Sequence, residues 1–117
     1  IQTQEQNNSE AFYLDNLTVN VQDYTVAINE KEILLTKKEF EILHTLAKNH
    51  NKVFTRDHLL NSVWGYDYYG DSRTVDSHIK RLRAKLEVEP NPNWEIKTIW
   101  GVGYKLEVFD NEQKDSL

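Results

Sequence analysis

The sequence predicts an α+β domain in which short antiparallel strands come first, three helices follow and a β-hairpin closes the chain. Three observations carry that reading. Apolar residues alternate with polar ones from Phe12 to Leu35, the period of a half-buried strand. Between Thr36 and Leu86 the spacing becomes helical. Alternation then returns on both sides of Gly101-Val102-Gly103.

In the first stretch Leu17, Val19 and Val21 alternate, as do Tyr24, Val26 and Ile28, and Ile33 with Leu35. Asn16, Gln22-Asp23 and Asn29-Glu30-Lys31 read as the breaks between strands. Thr36 followed by Glu39 is a capping box, in which the hydroxyl takes one orphan amide and the carboxylate reaches back to another. Phe40, Leu43, Leu46 and Ala47 form the apolar stripe of the first helix, which runs out near Asn49-His50-Asn51. Thr55 is the next N-cap, opening a second helix with Leu59, Leu60, Val63 and Trp64 that Gly65 ends. A tyrosine-rich loop, Gly65 to Ser72, precedes a third helix from Arg73 to Leu86 with Asp71 or Ser72 as its cap. Pro90 and Pro92 forbid its continuation. Trp94–Trp100 and Tyr104–Val108 are the arms of the hairpin, with Gly101-Val102-Gly103 as its turn. Residues 1–10 read as a linker remnant, residues 11–109 as the domain, and residues 110–117 as a disordered polar tail.

A chain of 117 residues fits one domain with a single core. With no cysteine it has neither disulfides nor thiolate metal sites, in agreement with a reducing compartment. No apolar run approaches the roughly 18 residues a membrane helix needs, and the polar N-terminus is not signal-like. Methionine is absent even at position 1, which suggests a piece of a longer protein.

The net charge of −5 looks unfavourable for binding nucleic acid. Its distribution reverses that impression. Residues 1–32 set six acids against Lys31, whereas residues 72–86 set Arg73, Lys80, Arg81, Arg83 and Lys85 against Asp76. At about 100° per residue, Val75, Ile79, Leu82 and Leu86 share one narrow stripe of the third helix. Opposite lie Arg73, Ser77, Lys80 and Ala84, with Arg81 beside them and Thr74 and Asp76 flanking. Two small residues let a flat surface approach while the cations reach past them. Major-groove insertion needs this arrangement: arginine bridges guanine O6 and N7, and other cations hold phosphates. A basic helix face is also common on ordinary solvated helices. The two helices before it and the hairpin after it favour DNA.

The run RTVDSHIKRLRAKLE, preceded by VWGYDYYGDS and followed by WGVGYKLEV, resembles the effector domain of OmpR/PhoB-type response regulators. The segment LTKKEFEILHTLAKNHNKVFTRDHLL is similar to that family's first two helices, and the likeness covers about residues 12–109. The resemblance implies a winged helix-turn-helix fold with an N-terminal four-stranded antiparallel sheet, three helices and a C-terminal wing. It implies sequence-specific binding of double-stranded DNA, with no cofactor, as the output of a two-component system that controls transcription. By the family pattern the DNA contacts are Arg73, Thr74, Ser77, His78, Lys80, Arg81 and Arg83. Trp64 matches a position near the backbone, and Thr98 in the wing matches a phosphate contact. At Trp100 the chain departs, since many members place there an arginine that enters the minor groove. A contact through the indole N–H and a packing role both stand open for Trp100. The loop Tyr66, Asp67, Tyr68, Tyr69, Gly70 and Asp71 corresponds to the segment that faces RNA polymerase or a neighbouring protomer. The resemblance further implies a cytoplasmic regulator with a receiver domain and a sensor kinase, monomeric alone and paired head to tail on direct repeats.

Other chemistries find little support. The histidines at 44, 50, 58 and 78 lack metal-ligand spacing. Gly101-Val102-Gly103 lacks the third glycine and the helix of a phosphate loop. Asp67 and Asp71 have no nucleophile nearby, so no enzyme is expected. The rival is a protein-interaction module that does not read DNA, for which the acidic N-terminal segment and the tyrosines speak. It would leave five cations of one helix without partners.

Overall fold

The computed structural model describes residues 11–89 and 93–109. The linker, the tail and the two prolines fall outside them. The element order is β1 (Ala11–Leu14), β2 (Leu17–Asn20), β3 (Thr25–Ile28), β4 (Lys31–Ile33), α1 (Lys37–Lys48), β5 (Phe54–Thr55), α2 (Arg56–Trp64), α3 (Arg73–Leu86), β6 (Trp94–Ile99) and β7 (Gly103–Val108). The expected four-stranded antiparallel sheet, three helices and hairpin are all present.

The first sheet is a meander in chain order, β1-β2-β3-β4. Its inward residues, Leu17, Val19, Val26, Ile28 and Ile33, are buried in register, with Leu17 opposite Ile28 and Val19 opposite Val26. The link from β3 to β4 is tighter than the sequence suggests. Lys31 is a strand residue paired with Ile28, and Asn29 and Glu30 alone make the turn, both at positive φ. At the other end β4 stops at Ile33, so Leu35 leads into α1.

The three helices begin and end where their caps predict. The Thr36 hydroxyl accepts from the Glu39 amide at 3.3 Å while Glu39 Oε1 accepts from the Thr36 amide at 2.9 Å. Thr55 Oγ1 accepts from the His58 amide, and the Gly65 amide closes α2 on the Asn61 carbonyl. Ile42 joins the predicted stripe of α1 in the core. Leu59 and Leu60 of α2 and Val75, Ile79, Leu82 and Leu86 of α3 complete one continuous apolar cluster. Trp94, 1 % exposed, ties the wing to the first sheet by donating its indole N–H to Asn16 Oδ1 at 2.7 Å.

The second sheet, β5-β7-β6, contains the element that periodicity does not reveal. Two residues of strand, Phe54 and Thr55, pair with Tyr104 and Gly103 and bolt the hairpin to the start of α2. Gly103 is therefore the first residue of β7 and no part of the turn, which consists of Trp100, Gly101 and Val102. Its side-chain hydrogen is a requirement of close approach: a Cβ there would stand 2.0 Å from the Phe54 carbonyl oxygen. Gly101, at φ 78°, has open space around it.

These two glycines should respond differently to alanine. Gly103→Ala is expected to cost about 3 kcal/mol or more, because backbone must separate from backbone, and Gly101→Ala about 1 kcal/mol from left-handed strain alone. Urea denaturation of both variants checks this; equal losses would remove the anchoring role of the β5–β7 junction.

Candidate nucleic-acid interface

Helix α3 presents two faces. Val75, Ile79, Leu82 and Leu86 are buried, while Arg73, Ser77, Lys80, Arg81 and Ala84 form an exposed stripe. Its N-terminus is organised by Asp71, not by Ser72, which makes no side-chain capping bond. Asp71 Oδ1 accepts from the Arg73 amide at 3.0 Å and Oδ2 from Arg73 Nε at 2.9 Å. The bond from that amide and then the one from the guanidinium hold the Asp71 carboxyl below the usual carboxylate range.

The cations of α3 are less free than a bare helical wheel implies. Lys85 Nζ donates to Glu39 Oε1 at 2.6 Å, and Arg81 Nε lies 3.8 Å from Glu39 Oε2. Arg83 turns toward the wing, giving Nε to the Ile96 carbonyl at 3.0 Å and Nη2 to Thr98 Oγ1 at 2.6 Å. Its guanidinium also stands over the Tyr104 ring. Among the described residues only Lys80 of the five has no ion pair or hydrogen bond. The expectation that a protein-interaction module would leave five cations without partners therefore holds for Lys80 alone, since Arg73, Arg81, Arg83 and Lys85 each meet an acidic or carbonyl group of the domain itself.

Trp64 and His78 pack edge to face at 5.0 Å, and His78 Nδ1 is 2.8 Å from the Thr74 carbonyl. Lys38 sits above the Trp64 ring and Tyr68 beside it. These residues brace α3 against α2 and the loop between them. In that loop Tyr68 closes over Trp64 and Gly70, whereas Tyr66 and Tyr69 are almost fully solvated, Tyr69 at 101 %. Asp67 and Gly70 are exposed with them.

The wing is aimed by a second polar junction. Asp76 of α3 receives Arg56 Nη2 at 2.8 Å and the Tyr104 hydroxyl at 2.6 Å, joining α2, α3 and β7. Burial, then the bond to Asp76 and its charge, push the Tyr104 phenol up to about 12. Between α3 and the wing runs a groove lined by Arg56, Asp76, Thr98, Trp100 and Tyr104. Trp100 stands at the tip, 89 % exposed with Val102 beside it, which excludes the packing role left open for it.

A basic stripe on the third helix, a hairpin fixed beside it and a meander sheet behind it form a combination with known counterparts. The family described as "Transcriptional regulatory protein, C terminal" matches residues 30–106. This chain belongs to that family. The transcriptional regulatory protein SrrA of Staphylococcus aureus is 49% identical over 98 residues, 83% of this chain and 41% of that protein. The chain therefore spans about two fifths of the length of such relatives. Response regulator DrrB of Thermotoga maritima, an OmpR/PhoB homolog, superposes with a TM-score of 0.72 at 43% identity, over 84% of this chain and 44% of that one. The DNA-binding domain of response regulator AdeR, solved in complex with an intercistronic region, gives 0.75 at 31% identity over 83% of this chain and 99% of its own.

Within this regulator domain, sequence reasoning missed Glu39 as a tie between helices. The signal was available, since Glu39 shares a stripe with Leu43 and Leu46 at i+4 and i+7 and so points inward. It also missed the Arg56–Asp76–Tyr104 junction, for which no local pattern exists.

The raised phenol predicts a pH dependence. Folding favours protonated Tyr104, so its contribution is complete below the ordinary tyrosine value near 10 and is lost as pH climbs from there to about 12. Tyr104→Phe should cost about 2 kcal/mol at neutral pH, and the gap between variant and wild type should narrow across that window. Denaturation at stepped pH checks this; a constant gap would mean that folding does not raise the Tyr104 phenol.

Proposed function

We propose that this regulator domain reads double-stranded DNA in a sequence-specific way, with α3 in the major groove and the β6–β7 wing against the adjacent backbone. The single observation behind it is the exposed stripe of α3. Arg73, Lys80 and Arg81 flank the small Ser77 and Ala84, opposite a fully buried stripe, on a chain of net charge −5. Cations concentrated on one helical face of an acidic protein suit a polyanion, and the small residues suit a flat approach. The AdeR domain's complex with an intercistronic region supports the same reading.

The roles divide by freedom. Arg81 is the base reader, Arg73 and Lys80 hold phosphate, and Thr74 and Ser77 line the helix N-terminus where phosphate is favoured. Arg83 and Thr98 bind each other, so they set the wing's angle and meet the backbone as a unit. Trp64 and His78 support the helix from behind. The exposed Tyr66 and Tyr69 are offered for protein contact, with RNA polymerase or a neighbouring protomer in head-to-tail pairs on direct repeats. A receiver domain and a sensor kinase belong to the same reading, as does a cytoplasmic setting. No helix among the described residues is long and apolar enough to cross a membrane.

Selection of bound duplexes from a random pool, followed by salt titration, tests this. Arg81→Ala should lose about 1–3 kcal/mol on the selected duplex and much less on random DNA. Trp100→Arg should steepen the slope of log affinity against log salt by about one with an unchanged melting temperature, because the tip is solvated. No enrichment from the pool would overturn the DNA reading, and an unchanged slope would remove the wing from the surface. Tyr69→Ala should keep duplex affinity and reduce transcription in a reporter assay; a parallel fall in both would place Tyr69 at the DNA.

A further inference from the structure

Glu39 is the one charged or polar residue of the described core, its side chain 1% exposed between α1 and α3. Its two oxygens have different duties. Oε1 takes the Thr36 amide and the Lys85 ammonium, which caps α1 and ties it to α3. Oε2 is sealed from solvent and receives no hydrogen bond; it faces Arg81 Nε at 3.8 Å. A buried carboxylate oxygen without a donor is a costly vacancy. The group that lies nearest to filling it is 55% exposed and stands on the stripe assigned to the major groove.

An arginine held at Nε keeps its terminal nitrogens for another partner, with the guanidinium plane fixed. Reading guanine needs that fixed fork, since two donors must meet O6 and N7 together. We propose that Glu39 is a positioning residue for sequence recognition: its Oε2 closes on Arg81 Nε when a duplex covers α3 and holds the terminal edge toward the base. The shift required is about 1 Å, from 3.8 Å to hydrogen-bond length. Excluding water from the helix face strengthens the charge pair at the moment it is needed. A purely structural Glu39 has no use for Oε2, because the cap and the Lys85 tie both run through Oε1. The inference rests on the DNA reading above.

Glu39→Gln isolates it. Glutamine keeps an acceptor for Thr36 and Lys85 and still serves a capping box, but presents a donor amide where Oε2 faced Arg81. On duplexes selected by the wild-type chain, E39Q is expected to lower the ratio of specific to random affinity about tenfold, in the range of one bidentate contact. The salt slope should stay unchanged, and E39Q combined with Arg81→Ala should lose no more of the ratio than Arg81→Ala alone. Proportionate losses on both duplexes, effects that multiply, or tighter specific binding by E39Q would each overturn the proposal. The nitrogen-15 spectrum of the wild-type chain gives a second reading independent of the variant's folding. The Arg81 Nε–H signal, assigned by its loss in Arg81→Lys, should move downfield on adding the selected duplex, and a signal that stays in place overturns the proposal. A wild-type chain that prefers no sequence removes the DNA reading and this inference together; a preference that survives E39Q removes this inference alone.

Discussion

Burying the Glu39 carboxylate commits two separate stretches of chain to one arrangement. A charge out of water must be matched by donors, and its donors come from the cap of α1 and from Lys85 at the far end of α3. Burial pushes the Glu39 carboxyl up, but the Lys85 bond and the Thr36 amide outweigh it and leave the group below its ordinary value. The first and third helices are thereby locked in axial position as well as in contact. Apolar packing alone would let them slide, because hydrophobic contact is non-directional. The exposed stripe of α3 inherits its height above the rest of the molecule from this pair.

The wing is held by chemistry of another kind. Arg56, Asp76 and Tyr104 meet at 2.6–2.8 Å, and Arg83 reaches the Ile96 carbonyl and Thr98 a few residues away. Charge-assisted bonds of this sort are directional and roughly twice as strong as neutral ones. Two such junctions on one side and the β5–β7 pairing on the other leave the hairpin little freedom to pivot. Cations that look alike on a helical wheel are thus divided: Arg83 and Lys85 brace the fold, while Arg73, Lys80 and Arg81 stay on the open side of the helix.

Much of this was legible in the residues. Thr36 and Glu39, Thr55, Gly65 and the four-residue stripe of α3 mark helix ends and faces locally, because capping and amphipathic spacing act over a turn or two. The same locality explains the exposed stripe. What escaped is non-local. A two-residue strand at Phe54-Thr55 carries too few residues to show a period. Asp76 is separated from Arg56 by 20 residues and from Tyr104 by 28. Gly103 looked like a turn residue because glycine between apolar arms suggests one; its place was decided by the carbonyl of Phe54 on another strand. The exposure of Trp100 was equally closed to sequence, since an apolar residue at a hairpin corner serves inside or outside with the same spacing.

The hairpin separates inheritance from adaptation. Its base is fixed by main-chain pairing through Phe54, Thr55, Gly103 and Tyr104, while Trp100, Gly101 and Val102 touch solvent. A change at the base disturbs the start of α2 and the aspartate on α3, so those positions answer to the fold. Gly101 aside, whose left-handed backbone constrains it, the tip answers only to whatever lies in front of it. Selection can therefore rewrite the tip one residue at a time, turning a charged finger into an aromatic one, without renegotiating the architecture behind it.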